Sequence, residues 1–181
     1  MCKTGFKLGK ASHCCGKAPN QALDPAAQDA HCSFSIEKKY EMSHLIAYVD
    51  GGSLGNPGPS GIGVIIDGCE NGPIRIQKWI GHQDNNVAEY LALLEALQRA
   101  LAMSARALHV FSDSEIVVKQ MRGEYTCRSP RLYSLNWICR KLARSLEFSI
   151  SHIRRENNAE ANMLASSAAR GEFLDKLCAT L

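Results

Sequence analysis

The sequence predicts an α/β protein, a mixed sheet with helices on its faces. Two observations carry this. Apolar β-rich runs and amphipathic stretches follow each other in the order β-β-β-α-β-α-β-α. Three strands in succession, then alternating helices and strands, suggest a mixed sheet flanked by helices.

Each element has its own signal. Leu45 to Val49 is the first strand. Gly51-Gly52-Ser53-Leu54-Gly55-Asn56-Pro57-Gly58-Pro59 reads as a glycine- and proline-rich turn. Gly61 to Ile66 is the second strand, closed by Asp67-Gly68, and the third spans about Ile74 to Ile80. A helix follows from about Asn86 to Met103, with an apolar stripe at helical spacing. Leu108 to Phe111 is the fourth strand, and a short helix runs from Ser114 to Met121. Pro130 opens a basic amphipathic helix to about Leu146. Phe148 to Ile153 is the fifth strand, and the last helix begins near Ala159 and continues past Ala169.

Length and composition bound the alternatives. A chain of 181 residues accommodates one ordinary domain and an appendage. Residues 1–43 lack sustained periodicity and read as a flexible or small Cys- and Lys-containing extension, 44–172 as the domain, and 173–181 as a tail. No apolar run approaches a membrane span, and the N-terminus lacks the apolar centre of a signal peptide. The expected location is the cytoplasm, with the eight cysteines as reduced thiols. His13-Cys14-Cys15 and His31-Cys32 offer soft metal ligands, but adjacent cysteines chelate poorly and no Cys-x-x-Cys occurs.

The net charge of +3 says less than its distribution. Lys119, Arg122, Arg128, Arg131, Arg140, Lys141 and Arg144 fall within 26 residues. Such a cluster is either a phosphate-binding footprint or a solvated helix face.

Four polar residues stand out. Asp50 and Asp113 each follow an apolar strand, where α/β sheets gather ligands; a turn aspartate in that place is also common. Glu89 shares a helical stripe with Leu93, Ala96 and Ala100. A carboxylate on a core-facing stripe is costly unless paired or metal-bound, although the helix dipole also favours a first-turn Glu. Asn162 lies on a small-residue face with Ala165, Ser166 and Ala169. Carboxylates are hard oxygen ligands suited to Mg²⁺. A pair of divalent ions about 4 Å apart activates water and stabilises a leaving alkoxide in phosphodiester hydrolysis. Asp50 is the expected bridging ligand.

Residues 45 to about 170 resemble a type I ribonuclease H domain, of the compact form without a basic handle insertion. The matching segments are Tyr48-Val49-Asp50-Gly51-Gly52-Ser53-Leu54-Gly55-Asn56-Pro57-Gly58, Asn85-Asn86-Val87-Ala88-Glu89-Tyr90, Phe111-Ser112-Asp113-Ser114, and His152-Ile153-Arg154-Arg155-Glu156-Asn157-Asn158-Ala159-Glu160-Ala161. Together, in this order, they are specific. The resemblance implies a ribonuclease H-like fold with a five-stranded mixed sheet flanked by helices. It implies cleavage of the RNA strand of RNA/DNA hybrids with two Mg²⁺ or Mn²⁺ ions, leaving 5′-phosphate and 3′-hydroxyl ends, by a monomer.

It also implies roles. Asp50, Glu89 and Asp113 match the family's metal ligands, Asn162 the fourth ligand position, normally aspartate, and Arg155 an arginine that assists the active site. Gly51, Gly52, Ser53, Asn56, Asn85 and Asn86 match substrate contacts, where glycine admits close approach and amides reach sugar and base edges.

Three departures follow. Asn162 removes a negative charge, so reduced activity is expected. Asp84 replaces a threonine near a DNA phosphate and needs a neutralising Arg or Lys. Glu115 replaces a frequent glutamine, and either offsets the charge lost at Asn162 or faces solvent. The open alternatives are a module that binds hybrid or structured RNA without efficient cleavage, and a protein assembled through zinc in its N-terminal segment.

Overall fold

A computed structural model of the protein describes residues 44–171. The expectations for residues 1–43, including zinc and free thiols there, and for 173–181 lie outside the described residues. Within them the order is β1 (His44–Ser53), β2 (Gly58–Asp67), β3 (Ile74–Gln83), α1 (Asn85–Ala102), β4 (Ala107–Ser112), α2 (Glu115–Arg122), α3 (Pro130–Ala143), β5 (Glu147–His152), a short 3₁₀ turn (Arg155–Asn158) and α4 (Ala159–Ala169).

The five strands form one sheet in the order β3-β2-β1-β4-β5. β1, β2 and β3 pair antiparallel; β4 joins β1 in parallel and β5 joins β4 in parallel. This is the expected mixed sheet. β1 is central, and its Leu45, Ala47 and Val49 are buried with Val64 and Ile66 of β2 and Leu108 and Val110 of β4.

Helices cover both faces, and glycine sets the approach. Successive strand residues point to opposite faces. A Cβ on Gly51 would lie 2.1 Å from the Ala88 carbonyl carbon in α1, whereas one on Gly52 would point toward Ala165 of α4 at 3.9 Å. A Cβ on Gly63 of β2 would lie 2.1 Å from the Ala161 carbonyl oxygen. The alanine face of α4 therefore rests almost directly on backbone, which explains the small residues around Asn162.

The structure revises several boundaries. β1 continues through Asp50-Gly51-Gly52 to Ser53, and β2 begins at Gly58 rather than Gly61. The glycine-rich segment is thus mostly sheet, because glycines there admit the helices rather than bend the chain. Asp50 lies inside β1, paired with Gly63, instead of ending it. α3 stops at Ala143, short of Leu146, and the 3₁₀ turn before α4 was not foreseen. Among the described residues, no helix is long and apolar enough to cross a membrane.

Candidate active site

The site begins with three carboxylates delivered by three elements. Asp50 comes from β1, Asp113 from the residue after β4, and Glu89 from the second turn of α1. Parallel pairing aligns Val49 with Ser112, so the two aspartates emerge side by side. Glu89 reaches them because Gly51 lets α1 close on β1. The Gly51 N–H donates to Glu89 Oε2 at 3.2 Å. One oxygen from each carboxylate lies within 4.8 Å of the others. Asp50 and Glu89 are almost completely buried, at 3% and 7% exposure.

Burial raises the cost of ionising such groups, and like charge adds to it. Burial, then Asp113, pushes the Asp50 carboxyl up to about 7. Glu89 is held well above the usual carboxylate range by burial first, then by Asp50 and Asp113. Arg155 pulls both back toward the ionised form. The donor set is oxygen alone, without thiolate or imidazole, and suits a hard divalent cation.

A cavity of about 310 Å³ opens over this cluster. Asp50, Gly51, Gly52, Ser53, Asn85, Glu89, Arg155 and Asn162 are among its lining residues. Asp113 and Arg155 line an adjoining cleft with His152 and Arg154. Ten of the eleven sequence-expected residues are therefore accounted for around one opening, counting Asn56, whose Oδ1 accepts from the Asn85 N–H at 3.1 Å and so holds the first turn of α1. Asn86 is half-buried and is not among the lining residues. The Ser53 hydroxyl is engaged with the carbonyls of Gly55 and Gln83.

Asn162 sits between a carboxylate and a guanidinium. Its Nδ2 can approach Asp50 Oδ2 at 3.4 Å. With the amide turned, its oxygen accepts from Arg155 Nη2 at 2.7 Å and Nε at 3.3 Å. A guanidinium offers only donors, so the turned orientation is the satisfied one.

The other departures are also placed. Arg131 neutralises Asp84 at 2.5 Å. Glu115 pairs with Lys119 on the exposed side of α2 and does not line the cavity, so it does not replace the charge lost at Asn162.

One residue was not anticipated from the sequence. Asn158, 1% exposed, donates from Nδ2 to the Val49 carbonyl at 2.9 Å and to Asp113 Oδ1 at 3.1 Å. It ties the strand that carries Asp50 to the carboxylate of Asp113. Its Oδ1 is buried without a hydrogen-bond partner. The only sequence signal was an asparagine one turn before Asn162, which reads equally well as a helix cap.

Comparison with known proteins agrees with this geometry. The family described as reverse transcriptase-like matches residues 48–168, a segment that contains every residue of the site described above. The chain belongs to the ribonuclease H-like family.

The ribonuclease H-like domain has relatives in several organisms. A ribonuclease HI of Halobacterium salinarum is 35% identical over 124 residues, covering 67% of this chain and 62% of that protein. A bifunctional protein of Mycobacterium tuberculosis is 33% identical over 127 residues, 68% of this chain but 35% of its own length. The chain thus spans about a third of the mycobacterial relative. Among solved structures, ribonuclease H1 from Halobacterium salinarum superposes with a TM-score of 0.67 at 33% identity, covering 71% of this chain and 98% of that one. LC11 ribonuclease H1 in complex with an RNA/DNA hybrid gives 0.65 at 35% identity, over 71% and 99%.

Proposed function

We propose that this domain is a divalent-metal-dependent endonuclease that hydrolyses the RNA strand of RNA/DNA hybrids, leaving 5′-phosphate and 3′-hydroxyl ends. The observation that carries the reading is the convergence of Asp50, Glu89 and Asp113 within 4.8 Å. The similar LC11 protein solved with a hybrid supports the choice of substrate.

The cluster of three carboxylates supports a hard divalent cation here, and we take the cofactor to be two Mg²⁺ or Mn²⁺ ions. Asp50, Glu89 and Asp113 would hold them, with the Asn162 amide oxygen as a weaker further ligand. When bound, such ions supply an activated water and charge stabilisation at the leaving oxygen. The chain does the rest. Buried carboxylates with raised affinity for protons are primed to exchange those protons for a cation near neutral pH. Gly51 and Gly52 line the cavity, and at Gly52, where a Cβ would meet only Ala165 at 3.9 Å, a sugar–phosphate backbone can approach β1. Asn85 presents an amide at the cavity wall, where a 2′-hydroxyl can be recognised. Arg155 supplies a positive charge beside the position of the scissile phosphate. We assign Ser53, Asn56 and Asn86 supporting roles in this contact. The domain would act as a monomer in the cytoplasm.

A second reading is favoured by one feature. The Asn162 amide accepts from Arg155 where a carboxylate would add charge, which suits a module that binds hybrid and cuts it slowly.

Cleavage of a labelled RNA/DNA hybrid in Mg²⁺ or Mn²⁺ separates the readings, with Asp50→Asn as the blank and Asn162→Asp in parallel. Cutting by the parent that Asp50→Asn abolishes supports the nuclease. Cutting only by Asn162→Asp means a binding-competent site lacking one charge. If neither cuts, the nuclease reading fails.

A further inference from the structure

Seven ion pairs occupy Arg75, Lys78, Arg99, Arg106, Lys119, Arg122 and Arg131. Arg140, Lys141 and Arg144 on and just after α3 form none among the described residues. The chain from Tyr125 to Leu146 contains no acidic residue. α3 buries Leu132, Asn136, Cys139 and Ala143. Its other side presents Tyr133 at 59% and Trp137 at 54% exposure, with the three free cations. Lys141 Nζ lies 5.1 Å from the centre of the Trp137 ring. Free cations repel one another, and an exposed indole leaves apolar surface in water. Keeping both on one helix without a compensating carboxylate has a cost in the isolated domain.

The position of this face matters. The Asp84–Arg131 pair fixes the first turn of α3 beside the first turn of α1, where Asn85 lines the cavity. From Arg131 to Arg144 the helix rises about 20 Å. Along a duplex axis the phosphates of one strand advance by about 3.4 Å each, so Arg140 to Arg144, about 6 Å of helix, spans roughly two of them.

We infer that the solvent face of α3 is a second nucleic-acid contact surface, which grips the backbone of a duplex beyond the part seated in the cavity. The inference rests on the nucleic-acid reading of that cavity. Charge complementarity selects the occupant. A polyanion matches an all-cationic face, whereas a protein partner would have to bring a carboxylate to each cation or bury its charge unpaired. Aromatic rings interleaved with cations are the usual platform for sugars and bases. Arg140, Lys141 and Arg144 are the phosphate contacts, and Trp137 packs against the backbone or an unpaired base.

The test uses the full chain carrying Asp50→Asn to prevent cleavage and Trp79→Phe so that Trp137 alone reports. Two labelled probes are compared: a six-pair RNA/DNA hybrid closed by a loop, and an eighteen-pair hybrid. The test variants are Arg140→Gln/Lys141→Gln/Arg144→Gln and, separately, Trp137→Ala, with circular dichroism checking that each folds. For the long probe, the triple variant should bind about tenfold more weakly, and the slope of log affinity against log salt should flatten by roughly 2.7, about 0.9 per cation. The short probe should bind both proteins alike, and only the long one should quench Trp137.

An unchanged slope with unquenched Trp137, while the parent still binds the long hybrid, overturns the surface and leaves the cavity reading intact. Self-association of the parent that the triple variant abolishes, without change in hybrid binding, also overturns it in favour of a second copy. If the parent binds no hybrid but Trp137 is quenched by duplex DNA with the same slope change, the surface stands and the cavity reading falls. Silence toward every nucleic acid removes both.

Discussion

With its amide turned so that the guanidinium faces an acceptor, Asn162 places its oxygen 2.7 Å from Arg155 Nη2, so the position at which a fourth carboxylate is expected is tied instead to a cation. An aspartate there would form a charged pair with Arg155 and add negative charge at the cavity. The bond from Arg155 to the amide is already charge-assisted, so what an aspartate adds is a further anionic oxygen ligand for a hard cation. We expect Asn162→Asp to raise hybrid cleavage in Mg²⁺ at least about tenfold, equivalent to about 1.4 kcal/mol of barrier. Steady-state kinetics check this, and equal or lower kcat in the variant rejects it.

Acidity should act on the metal-free fold in an unusual direction. Asp50 titrates at about 7 in the folded protein, against an ordinary value of 3.8, and Glu89 is raised as well. A raised folded value means the protonated form is preferred when folded. Its stability contribution is complete below about pH 4 and disappears as pH rises through 7. In chelator, this pair should therefore make the domain more stable at pH 5.5 than at pH 8, and Asp50→Asn should recover roughly 2 kcal/mol at pH 8. Mg²⁺ should stabilise the parent at pH 8 and much less at pH 5.5. Urea unfolding with and without cation measures both. A less stable Asp50→Asn at pH 8 contradicts the argument.

Asn158 holds Asp113 and Val49 of β1 together through one buried amide. Its removal leaves a carbonyl and a carboxylate oxygen without that donor. Asn158→Ala should cost about 1–3 kcal/mol of stability. Because Asp113 loses its anchor, Mn²⁺ affinity, followed by calorimetry, should weaken as well. Asn158→Asp replaces the donor with an anion facing Asp113, and should weaken stability further than alanine at neutral pH. Normal Mn²⁺ affinity in a folded Asn158→Ala protein would reduce Asn158 to a packing residue.

Asp84 withholds Arg131 from solvent ligands. Replacing it with asparagine removes the partner charge and leaves the guanidinium free in the first turn of α3. Hybrid binding by Asp84→Asn should tighten several-fold at low salt, with the steeper salt dependence of roughly one additional phosphate contact. Arg131→Gln should do the reverse. Anisotropy titrations at two salt concentrations decide, and equal affinities reject an electrostatic role for the pair.

The alternation of elements was legible because each carries its own period. Glu89, on a stripe with Leu93, Ala96 and Ala100, could be marked as an anomaly from spacing alone, since a carboxylate among core positions violates the pattern. The glycine segment after Asp50 misled for a related reason. Glycine in sequence signals a turn, and only a neighbouring helix reveals that it instead permits close packing in a strand. Asn158 gave no signal because a capping asparagine and a buried amide linking two strands have the same local sequence.

By itself, then, the sequence determined the element order, the family resemblance and the identities of the three carboxylates, all of which depend on local chemistry and spacing. Tertiary structure alone decided what each departure does. Arg131 reaches Asp84 across 47 positions, Arg155 engages Asn162, and Asn158 meets Asp113 across 45 positions. These pairings arise where α1 and α3 meet and where β1, β4 and the turn before α4 converge. Charge pairing over such separations is set by where packed elements end, which no local pattern records.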